Sequence, residues 1–202
     1  MAVATINKNR NMTEFFNGKT EEDKKKIHLF LTDKCTHNCE FCCNKEYSIE
    51  EIPVILVSEL KLAENIFLTG GEPFLLEEIN SFAYQLKKQY KNIKNITVYS
   101  CGDSFLSYLQ SGRKIDNIDM LTLSPKNEKD VKCVKELLSN DLFLLEISKL
   151  KSIWLYIFPE VKELLRDFKI KKELNNVQLI DREWQENFTP NSGIFRRLPI
   201  LF

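Results

Sequence analysis

The sequence predicts an α/β protein built on a parallel sheet, and three observations carry that expectation. Six short apolar runs recur along the chain, most of them rich in β-branched or aromatic residues. They are too continuous for a sheet with one wet face, so both faces should be covered. Between them, apolar residues fall at steps of three and four, the period of a helix with one buried side. Strands that alternate with helices in this way pair in parallel.

The elements follow in order. Residues 1–25 form a polar N-terminal extension, with one short helix expected around Met12–Phe16. The first strand is Ile27–Leu31 (IHLFL), and Pro53 suits the first turn of a helix running to about Glu64. A second strand, Ile66–Leu68, leads to a helix marked by Leu75, Ile79, Phe82 and Leu86. After the third strand, Ile96–Tyr99, Asp103 can cap a short helix that Gly112 ends. The fourth, Ile118–Leu123, precedes Pro125 and a helix carrying Val131, Val134 and Leu138. The segment Asp141–Leu150 suits either a prolonged helix or an extra strand. Ile153–Phe158 is the fifth strand; Pro159 then opens a helix with Val161, Leu164, Leu165 and Phe168. Val177–Ile180 is the sixth. The core thus runs over 26–183, and 184–202 (ending NSGIFRRLPILF) reads as a tail whose apolar end must pack somewhere or meet a partner.

Composition narrows the functional classes. The 202 residues are 43% hydrophobic and 29% charged, enough for a sizeable core. Lys+Arg and Asp+Glu balance at 29 each, so no global field recruits nucleic acid or an anionic membrane. The start is polar, without an apolar h-region, and no segment reaches the roughly 18 apolar residues of a membrane span. A cytoplasmic protein is expected. There thiols stay reduced, and clustered cysteines favour metal or redox chemistry over disulfides.

CTHNCEFCC, residues 35–43, holds four of the chain's six cysteines directly after the first strand. Ligands of parallel α/β folds gather at such strand ends. Cys35-x3-Cys39-x2-Cys42 brings three thiols from one loop into a small volume. Three thiolates suit an iron–sulfur cluster with one iron left open. Zinc is the competitor, but it needs four ligands, commonly as two close pairs. Only Cys39 and Cys42 form such a pair, so His37 and Cys43 would have to complete the set. The second strand ends in LTGGEPFLL, residues 68–76. Gly70 and Gly71 permit positive φ or a close backbone approach, Glu72 supplies a carboxylate, and Pro73 stiffens the turn. Alone, that turn is equally well structural.

Together, CTHNCEFC and GGEP resemble the radical S-adenosylmethionine (radical SAM) family, which pairs C-x3-C-x-aromatic-C with Gly-Gly-Glu-Pro. The resemblance implies a partial (β/α)6 barrel over the core. It implies that Cys35, Cys39 and Cys42 bind three irons of a [4Fe–4S] cluster and that S-adenosylmethionine chelates the fourth. Gly70, Gly71, Glu72 and Pro73 would hold the methionine ammonium, a donor-only group that wants acceptors. Phe41 would lie near the adenine. A reduced cluster would cleave S-adenosylmethionine to a 5′-deoxyadenosyl radical that takes hydrogen from substrate. An external one-electron reductant such as flavodoxin or ferredoxin would be needed, and the centre would be oxygen-sensitive.

Softer marks follow the later strands. YSCGDS stands where the family often has Ser/Thr-Asn-Gly: Ser100 and Gly102 fit, and Cys101 replaces the Asn, either touching ligand or buried as an inert thiol. In LTLSPK, Ser124 suits a ribose or carboxylate contact and Lys126 a carboxylate. Ser-Pro-Lys is also similar to 7-carboxy-7-deazaguanine synthases, which would make the substrate a small pterin- or deazapurine-type molecule and add magnesium. That family follows its third cysteine with Asp-Thr, where this chain has Cys43-Asn44, and its N-terminal substrate signature is missing. The alternatives are a peptide or protein substrate, as for glycyl-radical activating enzymes, and, from another class, a non-catalytic iron–sulfur or zinc protein. Lys126, Arg182, Arg196 and Arg197 could serve an anionic substrate, with plain surface solvation the rival for the two tail arginines.

Overall fold

The computed structural model describes residues 16–18, 20–39, 42–45, 47–183 and 192–200. Its centre is a seven-stranded sheet in the order β6-β5-β4-β3-β2-β1-β7, with every neighbouring pair parallel. The first six strands are Lys26–Thr32 (β1), Asn65–Gly70 (β2), Asn95–Ser100 (β3), Met120–Leu123 (β4), Ser152–Ile157 (β5) and Val177–Asp181 (β6). They coincide with the six apolar runs. An open parallel sheet of this order, layered with helices, is consistent with a partial barrel.

The seventh strand, Ile194–Arg197 (β7), comes from the expected tail. It pairs with β1 from Ile27↔Ile194 to Phe30↔Arg197. Ile194 and Phe195 are buried, so the apolar end of the tail packs against its own domain. Arg196 is also buried: its Nε and Nη2 donate to the Glu59 carboxylate at 2.6–3.0 Å, and its Nη1 donates to the Phe16 carbonyl at 2.7 Å. Arg197 Nε donates to the Ile52 carbonyl. Neither tail arginine is a solvated surface charge, and Glu59 already occupies Arg196.

Six α-helices are described: Val57–Leu60 (α1), Ile79–Gln89 (α2), Asp103–Gln110 (α3), Glu128–Ser139 (α4), Asp141–Ile147 (α5) and Pro159–Leu165 (α6). In α4 the Asn127 side chain caps the first turn by accepting from Asp130 N at 3.0 Å, and Val131, Val134 and Leu138 form the buried stripe. Pro159 sits in the first turn of α6, as its missing N–H favours.

Four boundaries differ from expectation. Pro53 opens no helix: its carbonyl accepts from Arg197 N and Ile55 N donates to Arg197 O, so the β-branched Val54–Ile55 stretch runs extended beside β7. Only the four residues of α1 remain helical there. Leu75 lies in a 3-10 turn, Pro73–Leu75, ahead of α2. Gly102, not Asp103, is the cap of α3, and the Asp103 carboxylate instead accepts from Ser104 N. Asp141–Ile147 is a separate helix, restarted when the Asn140 side chain accepts from Leu142 N. The helix expected around Met12–Phe16 falls almost wholly outside the described residues.

Candidate functional site

The carboxyl ends of the strands open onto one cavity of about 220 Å³. Cys35, Cys39 and Cys42 reach it from the loop after β1, Gly70–Pro73 from β2, Ser100 and Cys101 from β3, and Ser124 and Lys126 from β4. Arg196 and Arg197, offered for an anionic substrate, do not line it, and Phe41 lies outside the described residues. The side chain of Cys43 does too.

The three loop cysteines are free thiols, Cys35 exposed and the other two half-buried. Burial pushes the Cys35 and Cys39 thiols above their ordinary pKa. The neighbouring thiols push the same way, while the Lys126 charge opposes them at Cys39. Thiols close enough to resist one another's ionisation are a donor set that a metal centre relieves, and three unbridged ones fit a three-thiolate iron–sulfur cluster. The His37 ring lies between Asp130 and Thr36. Nε2 is 2.7 Å from Asp130 Oδ1, and Nδ1 is 2.9 Å from Thr36 Oγ1.

Gly70 and Gly71 are there for close approach to the segment that leads into the cysteines. Gly70 takes φ +128°, and a Cβ on Gly71 would lie 2.0 Å from the Lys34 carbonyl oxygen. That closeness lets Gly71 N donate to Thr32 O and Glu72 N to Lys34 O, at 2.6 and 2.8 Å. The two motifs are therefore one backbone-bonded unit. The Gly70 carbonyl accepts from Asn44 Nδ2 at 2.7 Å, and Asn44 Oδ1 from Tyr47 O–H.

Glu72 is 2% exposed. Its Oε1 accepts from Phe74 N, and its Oε2 accepts from Ser100 Oγ at 3.2 Å and Cys101 N at 3.0 Å. Burial raises its pKa, and the bonds from Cys101, Phe74 and Ser100 oppose that rise. A buried carboxylate at a cavity wall, partly offset by neutral donors, favours a cationic group beside it.

Sequence reasoning missed the layer behind these residues. Asp130, fully buried in the first turn of α4, takes His37 on one oxygen and Lys126 N on the other, at 2.7 and 2.8 Å. The only available sign was an acidic residue in a helix first turn, which is common. The Cys101 Sγ is 3.0 Å from both Glu72 Oε2 and Asp103 Oδ1, and burial and these carboxylates push its pKa up.

The far wall is aromatic and basic. Lys126 Nζ lies 3.8 Å from the Phe158 ring centroid. Arg182 donates from Nη2 to Tyr156 O–H at 3.1 Å, while its buried Nε has no partner among the described residues. Ser124 N donates to Ser100 O, holding the β4 end beside that of β3. His28, Tyr99 and Phe195 complete this apolar lining. Burial lowers the His28 pKa to about 4, against the pull of the Ser192 carbonyl on Nε2.

No family model matches the chain. It is similar to GTP 3',8-cyclase of Aquifex aeolicus (strain VF5), with 30% identity over 128 residues, 55% of this chain and 40% of that protein. The chain therefore spans well under two thirds of that relative's length. BtrN, in a crystal structure with AdoMet and 2-DOIA, overlaps 78% of this chain and 56% of its own at 14% identity, with a TM-score of 0.36.

Proposed function

We propose that this chain is a radical SAM enzyme, one that cleaves S-adenosylmethionine reductively to start a hydrogen abstraction from a small planar substrate; its similarity over 128 residues to GTP 3',8-cyclase supports the reading. One observation carries the reading: the three-cysteine loop and the Gly-Gly-Glu-Pro turn, 28 residues apart at their nearer ends (70 − 42), are hydrogen-bonded together on one cavity wall. A zinc or electron-carrier site explains the cysteines and the glycines that brace them, and leaves the buried Glu72 carboxylate at the cavity wall without a purpose.

In this reading Cys35, Cys39 and Cys42 hold a [4Fe–4S] cluster. When bound, such a cluster supplies the electron that breaks the sulfonium carbon–sulfur bond and so yields a 5′-deoxyadenosyl radical. The chain's own residues do the placing. The Glu72 carboxylate and the Gly-Gly-Glu-Pro carbonyls accept from the methionine ammonium, which needs acceptors only. Ser100 and the Cys101 N–H keep Glu72 aimed at the cavity. Ser124 meets a ribose or carboxylate oxygen, and by resemblance to the family motif Phe41 would be the residue nearest the adenine. Tyr99, Tyr156 and Phe158 exclude water and offer ring faces to a flat substrate.

Lys126 and Arg182 make the far wall basic, which suits a substrate bearing a carboxylate or phosphate. A pterin- or purine-type molecule meets both requirements, and a relative named for GTP points the same way. The small aromatic cavity favours such a molecule over a peptide. The electron comes from an external donor such as flavodoxin or ferredoxin. Magnesium has no support beyond Asn44, whose amide is already shared between Gly70 and Tyr47.

The test is anaerobic. Protein reconstituted with iron and sulfide is given S-adenosylmethionine and dithionite, with 6-carboxy-tetrahydropterin as first candidate substrate, and 5′-deoxyadenosine is quantified. Product that is lost in Cys39→Ala supports the reading; equal product in both proteins overturns it.

A further inference from the structure

Cys101 sits where three lone-pair donors meet one proton. Its Sγ lies 3.0 Å from Glu72 Oε2, 3.0 Å from Asp103 Oδ1 and 3.5 Å from His37 Nδ1. A thiol donates once, so a single S–H satisfies one of the three contacts. The His37 ring reaches the same point through Nδ1, while its Nε2 lies 2.7 Å from Asp130 Oδ1. Oxygen, sulfur and nitrogen ligand atoms gathered at one point are a set that a cation can bind.

We propose that His37, Cys101 and Asp103 form a second metal site, for one divalent ion of zinc type, separate from the set Cys35, Cys39 and Cys42. One donor atom from each of these residues and from Asp130 lies within 4.8 Å of the others, close to what bonds of roughly 2.0–2.3 Å would gather. Sulfur, imidazole nitrogen and carboxylate oxygen together select a borderline ion over magnesium, which wants oxygen alone. Asp130, fully buried, takes the role of the carboxylate behind a metal-bound histidine: it fixes the ring and leaves Nδ1 to the ion. Little solvent competes, because the His37 and Asp103 side chains are only 10% and 8% exposed.

Binding needs one local change. Thr36 Oγ1, now 2.9 Å from His37 Nδ1, turns aside, while Lys129 stays on Asp103 Oδ2. The soft ligand is this chain's own departure, since Cys101 stands where the radical SAM pattern often has Asn. Such an ion would brace the cysteine loop, the β3 end and α3 from one point.

Two measurements test the site, and neither reads S-adenosylmethionine cleavage. In the 202-residue chain carrying Cys35→Ser, Cys39→Ser and Cys42→Ser, cobalt(II) is titrated with circular dichroism as the check on folding. The expected result is one equivalent bound with a thiolate-to-cobalt charge-transfer band. That band should vanish on adding Cys101→Ser, and affinity should fall about 10–100-fold on adding Asp130→Asn. In the unaltered protein, reconstituted with iron and sulfide and offered zinc, one zinc should remain beside the irons, and Cys101→Ser should lose the zinc while keeping the iron. A folded variant without the band, a band that survives Cys101→Ser, or unaltered protein that retains no zinc would overturn the proposal.

Discussion

His37 Nε2 lies 2.7 Å from Asp130 Oδ1, and this contact fastens the cysteine loop to the first turn of α4. The same carboxylate accepts from Lys126 N, so one fully buried side chain holds both the loop after β1 and the segment after β4. A loop that carries ligands needs such support, because an unanchored one would lose its geometry to chain entropy.

Asp130→Ala should therefore cost about 2 kcal/mol, the scale of stranding buried donors on His37 and Lys126. Urea denaturation measures the loss. A chelator challenge should remove iron from the reconstituted variant faster than from Asp130→Asn, which keeps an acceptor.

Gly71→Ala should disable the site through the backbone. Its Cβ would meet Lys34 O at 2.0 Å, and a carbonyl in a bonded turn has nowhere to go. The expected outcome is a destabilisation of about 1–3 kcal/mol with poor iron loading. Gly112→Ala is the control: that glycine also has positive φ, +79°, but nothing lies within 4 Å of its Cβ, so iron loading should be unchanged.

Arg196→Ala should cost about 3–5 kcal/mol, because it strands the Glu59 carboxylate and frees the Phe16 carbonyl beneath β7. Adding Glu59→Gln should recover part of the loss, which thermal denaturation of the single and double variants will show.

His28 predicts an acid limb to stability. Its folded pKa of about 4 lies below the ordinary 6.5, because burial disfavours the charged ring. Above pH 6.5 both folded and unfolded chains hold it neutral. As pH falls from 6.5 to 4 the unfolded chain takes up a proton that the folded one resists, so stability drops, by up to about 3 kcal/mol. Urea midpoints across that range should show the slope, and His28→Phe, stacked in its place on Phe67, should flatten it.

The six strands that frame the cavity were legible because β-branched runs such as ITVY and IWLYIF leave little else to form. The cysteine loop and Gly-Gly-Glu-Pro were legible as motifs, and strand ends told where to look. What escaped was tertiary. IFRR is too short and too charged to read as a strand until Ile194 and Phe195 find β1 and Arg196 finds Glu59. The Pro53 helix failed because Val54 and Ile55 pair with Arg197, a partner more than 140 residues away (197 − 55 = 142). Asp130 offered only an acidic residue in a helix first turn and Cys101 only its place in YSCGDS, since their partners depend on which side chains the fold brings to them.

The most direct measurement is the EPR spectrum of the reduced cluster with and without S-adenosylmethionine, in unaltered protein and in Glu72→Gln. An open iron beside the Gly-Gly-Glu-Pro turn predicts a spectrum that changes when S-adenosylmethionine is added, with a higher concentration needed in the variant. A full, reducible cluster whose signal ignores S-adenosylmethionine at saturating concentration would contradict the account.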